Sequence, residues 1–142
     1  MTTQDEATPP APPKRAPDPA QLGRALALAT AAHDRQAEDV VALDVRELTS
    51  LADTFLIASG RSRQQVRAIA DAVLEAARRD GIRALGVEGL EEGRWALLDF
   101  GSVILHVFHG DVRSEYDLER LWSDAPRLDV EPVEVKPRKV KA

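Results

Sequence analysis

The chain has 142 residues, 19 Lys and Arg against 24 Asp and Glu for a net charge of −5 at pH 7, and no cysteine. That length fits one domain, the acidity argues against autonomous binding to nucleic-acid phosphates, and the missing thiols exclude disulfides and thiolate chemistry. No apolar run reaches membrane-spanning length and the N-terminus has no signal-peptide core, so a soluble cytoplasmic protein is expected.

Proline marks the boundaries. Six of the nine prolines fall between Pro9 and Pro19, and the others are Pro126, Pro132 and Pro137. The expected division is a disordered Pro/Ala-rich tail over 1–17, a folded domain over 18–125 and a flexible charged tail over 126–142. From Ala20 to Ala125 there are twelve arginines against eighteen carboxylates, a net of −6, and all four lysines lie in the tails.

The folded block opens on Asp18-Pro19-Ala20-Gln21, where Asp caps a helix, Pro takes its first position and Gln its capping-box position. Leu22, Ala25, Leu26, Ala29 and Ala32 continue a helical stripe to about Gln36. Residues 39–45 read as a mostly buried strand, 48–53 as a connection and 54–59 as a second strand. Ser62 and Gln65 form a capping box for a second helix, with Val66, Ile69, Ala70, Val73 and Ala77 on one face and Gly81 as its stop. Residues 82–87 give a short third strand and 88–94 a loop. Asp111 is the expected cap of a last helix carrying Leu118, Leu121 and Trp122. The order α-β-β-α-β-β-β-α predicts a single α/β domain with a mixed sheet of about five strands and flanking helices.

Between the loop and the last helix lies Trp95-Ala-Leu-Leu-Asp-Phe-Gly-Ser-Val-Ile-Leu-His-Val-Phe108, a β-hairpin with two unlike faces. Ala96, Leu98, Val103, Leu105 and Val107 form a purely aliphatic face that belongs in a core. Trp95, Leu97, Asp99, Ser102, Ile104, His106 and Phe108 form a mixed one. A two-residue turn at Phe100-Gly101 would pair Asp99 with Ser102, Leu97 with Ile104 and Trp95 with His106. Trp95 suits either a core position or an interface anchor, since large aromatics dominate interface energetics.

Motifs for chemistry are sparse. His106 and His109, three apart at a strand end, point to opposite faces and do not make a metal pair. Asp99 and His106 share a face and invite an acid–base reading, but no nucleophile is aligned with them. Gly60-Arg61-Ser62 between strand and helix could cradle a phosphate, yet it equally makes an ordinary capped turn. A nucleotidyl-transferring enzyme would need a closely spaced acidic pair after that turn, and only Asp71 and Glu75 follow. Arg61, Arg63 and Arg67 cluster at the helix start, as a solvated face or as a contact patch for RNA or an acidic partner.

Gly86-Val-Glu-Gly89, the hairpin, and Arg113-Ser-Glu-Tyr116-Asp-Leu-Glu-Arg-Leu-Trp122 together resemble the ribosomal silencing factor (iojap) family. So do Ala42-Leu-Asp-Val45, Asp53-Thr-Phe-Leu-Ile-Ala-Ser-Gly60 and the helix from Ser62 to Ala77. The resemblance spans about Pro19 to Asp124. It implies a nucleotidyltransferase-like topology without the catalytic site, no cofactor or metal, and a translational repressor, not an enzyme. The implied partner is the large ribosomal subunit through ribosomal protein L-fourteen, so that joining with the small subunit is blocked under nutrient limitation. Self-association is also implied, whereas membrane binding and sequence-specific nucleic-acid binding are not. The expected protein-binding residues are Trp95 and Phe100 as apolar anchors, with Asp99, Glu88 and Tyr116 as polar partners. The alternatives are a nucleotide-binding or nucleotidyl-transferring enzyme using residues 60–63 and Asp99, and a homodimeric interaction module.

Overall fold

The computed structural model describes residues 18–132, so the tail expected over 1–17 and the last ten residues lie outside it. Helix α1 (Pro19–His33) starts as its sequence dictates, with the Asp18 side chain accepting the Ala20 N–H at 3.2 Å and Pro at the first position. Strands β1 (Glu38–Asp44) and β2 (Thr54–Gly60) follow, then α2 (Arg63–Arg79). At the start of α2 the Ser62 hydroxyl accepts the Gln65 N–H at 3.0 Å, while Gln65 Oε1 accepts the Arg61 N–H at 2.7 Å. Strands β3 (Gly86–Glu88), β4 (Trp95–Asp99) and β5 (Val103–His109) come next, then helices α3 (Gly110–Tyr116) and α4 (Leu118–Leu121) and a final strand β6 (Arg127–Leu128).

The strands form one mixed sheet in the order β3-β4-β5-β2-β1-β6, with β2 and β5 parallel and every other neighbouring pair antiparallel. The central β2 is buried along its whole length. Helices α1 and α2 cover one face. There the aliphatic hairpin side chains Ala96, Leu98, Val103, Leu105 and Val107 meet Leu28, Val66, Ile69 and Val73 in a dry core. Each large member contributes roughly 1.5–3 kcal/mol by leaving water. The smaller cluster on the opposite face holds Leu43, Phe55, Ile57, Phe108 and Val112, with Trp95, Ile104, Leu118 and Trp122 packed against it.

Several expectations need correction, beginning with the third strand, expected over 82–87 and found only at Gly86–Glu88. The hairpin ladder pairs Asp99 with Ile104, Leu97 with His106 and Trp95 with Phe108, each partner two residues beyond the expected one. The reason is Phe100, whose ring is buried in the aliphatic core, so the tight turn moves on to Gly101 and Ser102. Because the slip preserves the alternation, the strand residues keep their predicted faces, whereas Ser102, expected on the mixed face, falls in the turn and its hydroxyl accepts from Arg24 of α1 at 2.9 Å.

The domain does not end at Ala125. Arg127 and Leu128 pair with Leu43 and Ala42 as a sixth strand, the Pro126 carbonyl accepts the Asp44 N–H at 2.8 Å, and Leu128 and Val130 enter the helix-side core. Part of the expected flexible tail is therefore sheet. The expected last helix is two short ones, broken where Asp117 adopts φ +50°, and His109 occupies the cap position with no capping side chain. As a result Leu118 and Trp122 pack inward while Leu121 stays 71% exposed. Gln21 serves no capping box. It turns into the protein, where its Nε2 donates to Thr54 Oγ1 at 3.0 Å, the Asp53 carbonyl at 3.1 Å and Asp44 Oδ1 at 3.3 Å.

Candidate interaction face

The mixed side of the hairpin is organised by its aromatic residues. Trp95 stacks on the buried Phe108 with ring centroids 5.0 Å apart and 29° between planes, and Tyr116 lies 4.5 Å from it on its α3 side. The Trp95 indole N–H donates to His106 Nδ1 at 3.1 Å. His106 in turn meets the Phe55 ring edge-on at 5.5 Å, and Phe55 meets Trp122 at 5.1 Å. The aromatic row thus runs from the exposed Tyr116 into the core beneath α4.

Backbone and ion-pair contacts fix this row. Gly89, at φ +77°, lies so close to the Trp95 carbonyl that a Cβ there would overlap its oxygen. The next carbonyl back, Arg94, accepts the His109 N–H at 2.9 Å and holds the start of β4. Arg113 fixes the helices: its guanidinium makes two 3.1 Å bonds to the Glu119 carboxylate and one of 2.9 Å to Ser59 Oγ. This fork joins α3, α4 and the end of β2, and so sets where Tyr116 stands.

Helix α3 packs on β5 and β2. Beyond it, Leu97, Asp99 and Ile104 are half-buried and Glu88, opposite Leu97 on β3, is exposed. This side therefore presents Trp95, Leu97, Ile104 and Tyr116 with carboxylates beside them.

The five residues expected to bind protein fall unequally. Trp95 and Tyr116 are in contact, and Tyr116 is 48% exposed. Glu88 lies on the same side of the sheet. Asp99 is also on that side, but its Oδ1 accepts the Gly101 N–H at 2.8 Å and so secures the turn. Phe100 is 5% exposed in the helix-side core, where it cannot meet a partner across the mixed face. Sequence reasoning missed the Trp95–His106 bond and the Arg113–Glu119 fork. The expected register sets Trp95 directly opposite His106, but the bond runs diagonally across the ladder.

The chemical alternatives find little geometry. His106 is buried and its Nδ1 is occupied; burial drives its pKa down to about 4, so the ring is neutral. His109 lies on the other side of the strand, and among the described residues no group of three or more His, Cys, Asp or Glu could hold a metal ion. At the Gly60–Ser62 turn, two backbone amides are taken by Ser62 and Gln65 themselves. Arg61 pairs with Glu38 at 2.7 Å, and Arg67 donates to the Glu91 carbonyl at 3.0 Å. The deepest carboxylate, Asp44, is a structural one. Burial pushes its pKa up, but hydrogen bonds from the Arg46 side chain and backbone and from Gln21 outweigh that and leave it below the usual carboxylate value.

A family model described as "Ribosomal silencing factor during starvation" matches residues 17–142. The chain belongs to the ribosomal silencing factor family. Among its relatives in that family, the ribosomal silencing factor of Bacillus subtilis is 48% identical over 103 residues, covering 72% of this chain and 87% of that protein. The chloroplastic protein Iojap of Arabidopsis thaliana is 31% identical over 113 residues, covering 80% of this chain and 47% of that one. A crystal structure from Bacillus halodurans superposes with a TM-score of 0.67 at 40% identity, covering 79% of this chain and 99% of the other. A second, from Chromobacterium violaceum, reaches 0.70 at 34% identity, with 81% and 95% coverage. Both solved structures thus share the α/β architecture found here. Among the described residues of this member, no helix is long and apolar enough to cross a membrane.

Proposed function

We propose that the protein is a ribosome-associated translational silencer. It docks on the large ribosomal subunit through ribosomal protein L-fourteen and obstructs joining with the small subunit. It acts by occupying a surface and turns over no substrate. Family membership supports the ribosomal partner. The observation that carries the docking face is Trp95, half-buried between Phe108 and Tyr116 on the side of the sheet bearing Leu97, Ile104 and Glu88. An aromatic held rigid on a surface gives up little side-chain entropy on binding and is the common form of an interface hot spot.

In this reading Trp95 and Tyr116 are the anchors and Glu88 is a charged rim residue. Asp99 acts through the turn it secures, and Phe100 supports the hairpin from the core. The described residues hold thirteen arginines against twenty-one carboxylates, a net of −8, which suits a basic ribosomal surface. Trp95→Ala combined with Tyr116→Ala is the direct test. Co-sedimentation with purified large subunits should weaken by about thirtyfold or more, the usual cost of truncating such an anchor, with the circular dichroism unchanged. Undiminished binding by a folded double variant would remove this face from the interaction.

A further inference from the structure

We propose that His106 is a positioning residue for Trp95: it accepts the indole N–H and so presents Trp95 to its partner as a purely apolar surface. The inference rests on the reading of Trp95 as a docking anchor and adds the chemistry of what that anchor meets.

The indole N–H is the one hydrogen-bonding group of a tryptophan side chain. Left free at an interface, it would have to find an acceptor on the partner or be buried unpaired, at a cost. Here the 3.1 Å bond to His106 Nδ1 satisfies it within the protein. The acceptor is itself fixed, since His106 is only 7% exposed, meets the Phe55 ring edge-on and lies parallel to Phe108 within 10°. Two restraints, stacking on Phe108 and the bond to His106, therefore hold the indole in one orientation.

The other ring nitrogen sharpens the case. With Nδ1 accepting, the proton of the neutral ring is on Nε2, and that atom is buried without a hydrogen-bond partner among the described residues. A leucine of similar bulk would fill this space without leaving a donor unpaired. What histidine supplies that leucine does not is the acceptor for Trp95. The matching feature of the partner is an aliphatic recess that offers no acceptor to the indole.

The test uses the full chain and purified large subunits. Asparagine can place its side-chain oxygen close to the position of Nδ1, whereas glutamine carries it farther out and leucine has none. His106→Leu and His106→Gln should each bind about tenfold more weakly than the wild type, the order expected for one lost hydrogen bond in an anchor, and His106→Asn within about threefold. In ¹⁵N-labelled protein the Trp95 indole resonance should move further in the Leu and Gln variants than in the Asn variant; all three lose the imidazole ring beside the indole, so the difference between them reports the hydrogen bond and not packing. If the Leu variant does not fold, the Gln and Asn pair decides. Equal binding by all folded His106 variants, with Trp95→Ala impaired, overturns the positioning role and leaves the anchor standing. Wild-type binding by Trp95→Ala overturns both.

Discussion

His106 also makes the stability of the domain depend on pH in a window of its own. Burial holds the folded-state pKa down to about 4, against 6.5 for a free histidine. The unfolded chain therefore takes up a proton as pH falls below 6.5, while the folded chain resists until about 4. The stability conferred by the neutral ring is complete above pH 6.5 and is lost progressively between there and pH 4. The shift corresponds to roughly 3 kcal/mol across the window. Urea unfolding at intervals from pH 4.5 to 7 should show this slope in the wild type and a much flatter one in His106→Asn. An unchanged slope would mean that other groups carry it. Asp44, with its pKa below 3.8, responds mainly at lower pH and lies outside the comparison.

At the scale of elements, backbone approach is as decisive as side-chain packing. Gly89 and Gly81 share φ +77°, but a Cβ at Gly81 would meet nothing within 4 Å, whereas one at Gly89 would collide with the Trp95 carbonyl. Gly81→Ala should cost only the left-handed backbone penalty, about 1–2 kcal/mol. Gly89→Ala should cost at least about 2 kcal/mol more and should disturb Trp95 fluorescence, which the Gly81 variant leaves alone. The same distinction explains what the sequence could reveal. The two helix starts were legible because Asp18, Pro19, Ser62 and Gln65 act within a turn of their own position. Both hairpin faces were legible because alternation survives a slip of the turn. The register was not, because it depends on the Phe100 ring preferring the core, a choice made by distant residues. Nor was β6 legible: two residues held largely by main-chain pairing to β1 leave no periodic pattern. The geometry of the Trp95–His106 bond was hidden for the same reason as the register, since the expected pairing sets the two residues directly opposite and only the actual turn makes their contact a diagonal one. Truncation after Ala125 tests the weight of β6. It removes the buried Leu128 and Val130 and the carbonyl that Asp44 uses, and should lower stability by about 3–5 kcal/mol in urea unfolding.

For the whole molecule, charge and anchors make separable contributions. Carboxylates exceed arginines by eight across the described residues, so in the proposed docking attraction to a basic ribosomal surface acts over distances beyond contact. Such attraction accelerates encounter and is screened by salt, because at 0.15 M the Debye length is only about 8 Å. In the proposed docking Trp95, by contrast, acts after contact, through buried apolar area that salt does not screen. Raising salt from about 0.05 to 0.3 M should therefore slow association with large subunits several-fold and leave dissociation nearly unchanged. Trp95→Ala should do the reverse, accelerating dissociation with little change in the association rate. Stopped-flow measurement of both rates across a salt series, with wild type and variant side by side, separates the two. A salt-independent association rate would mean that the acidity of the domain serves solubility alone and that the apolar face finds its partner without electrostatic help.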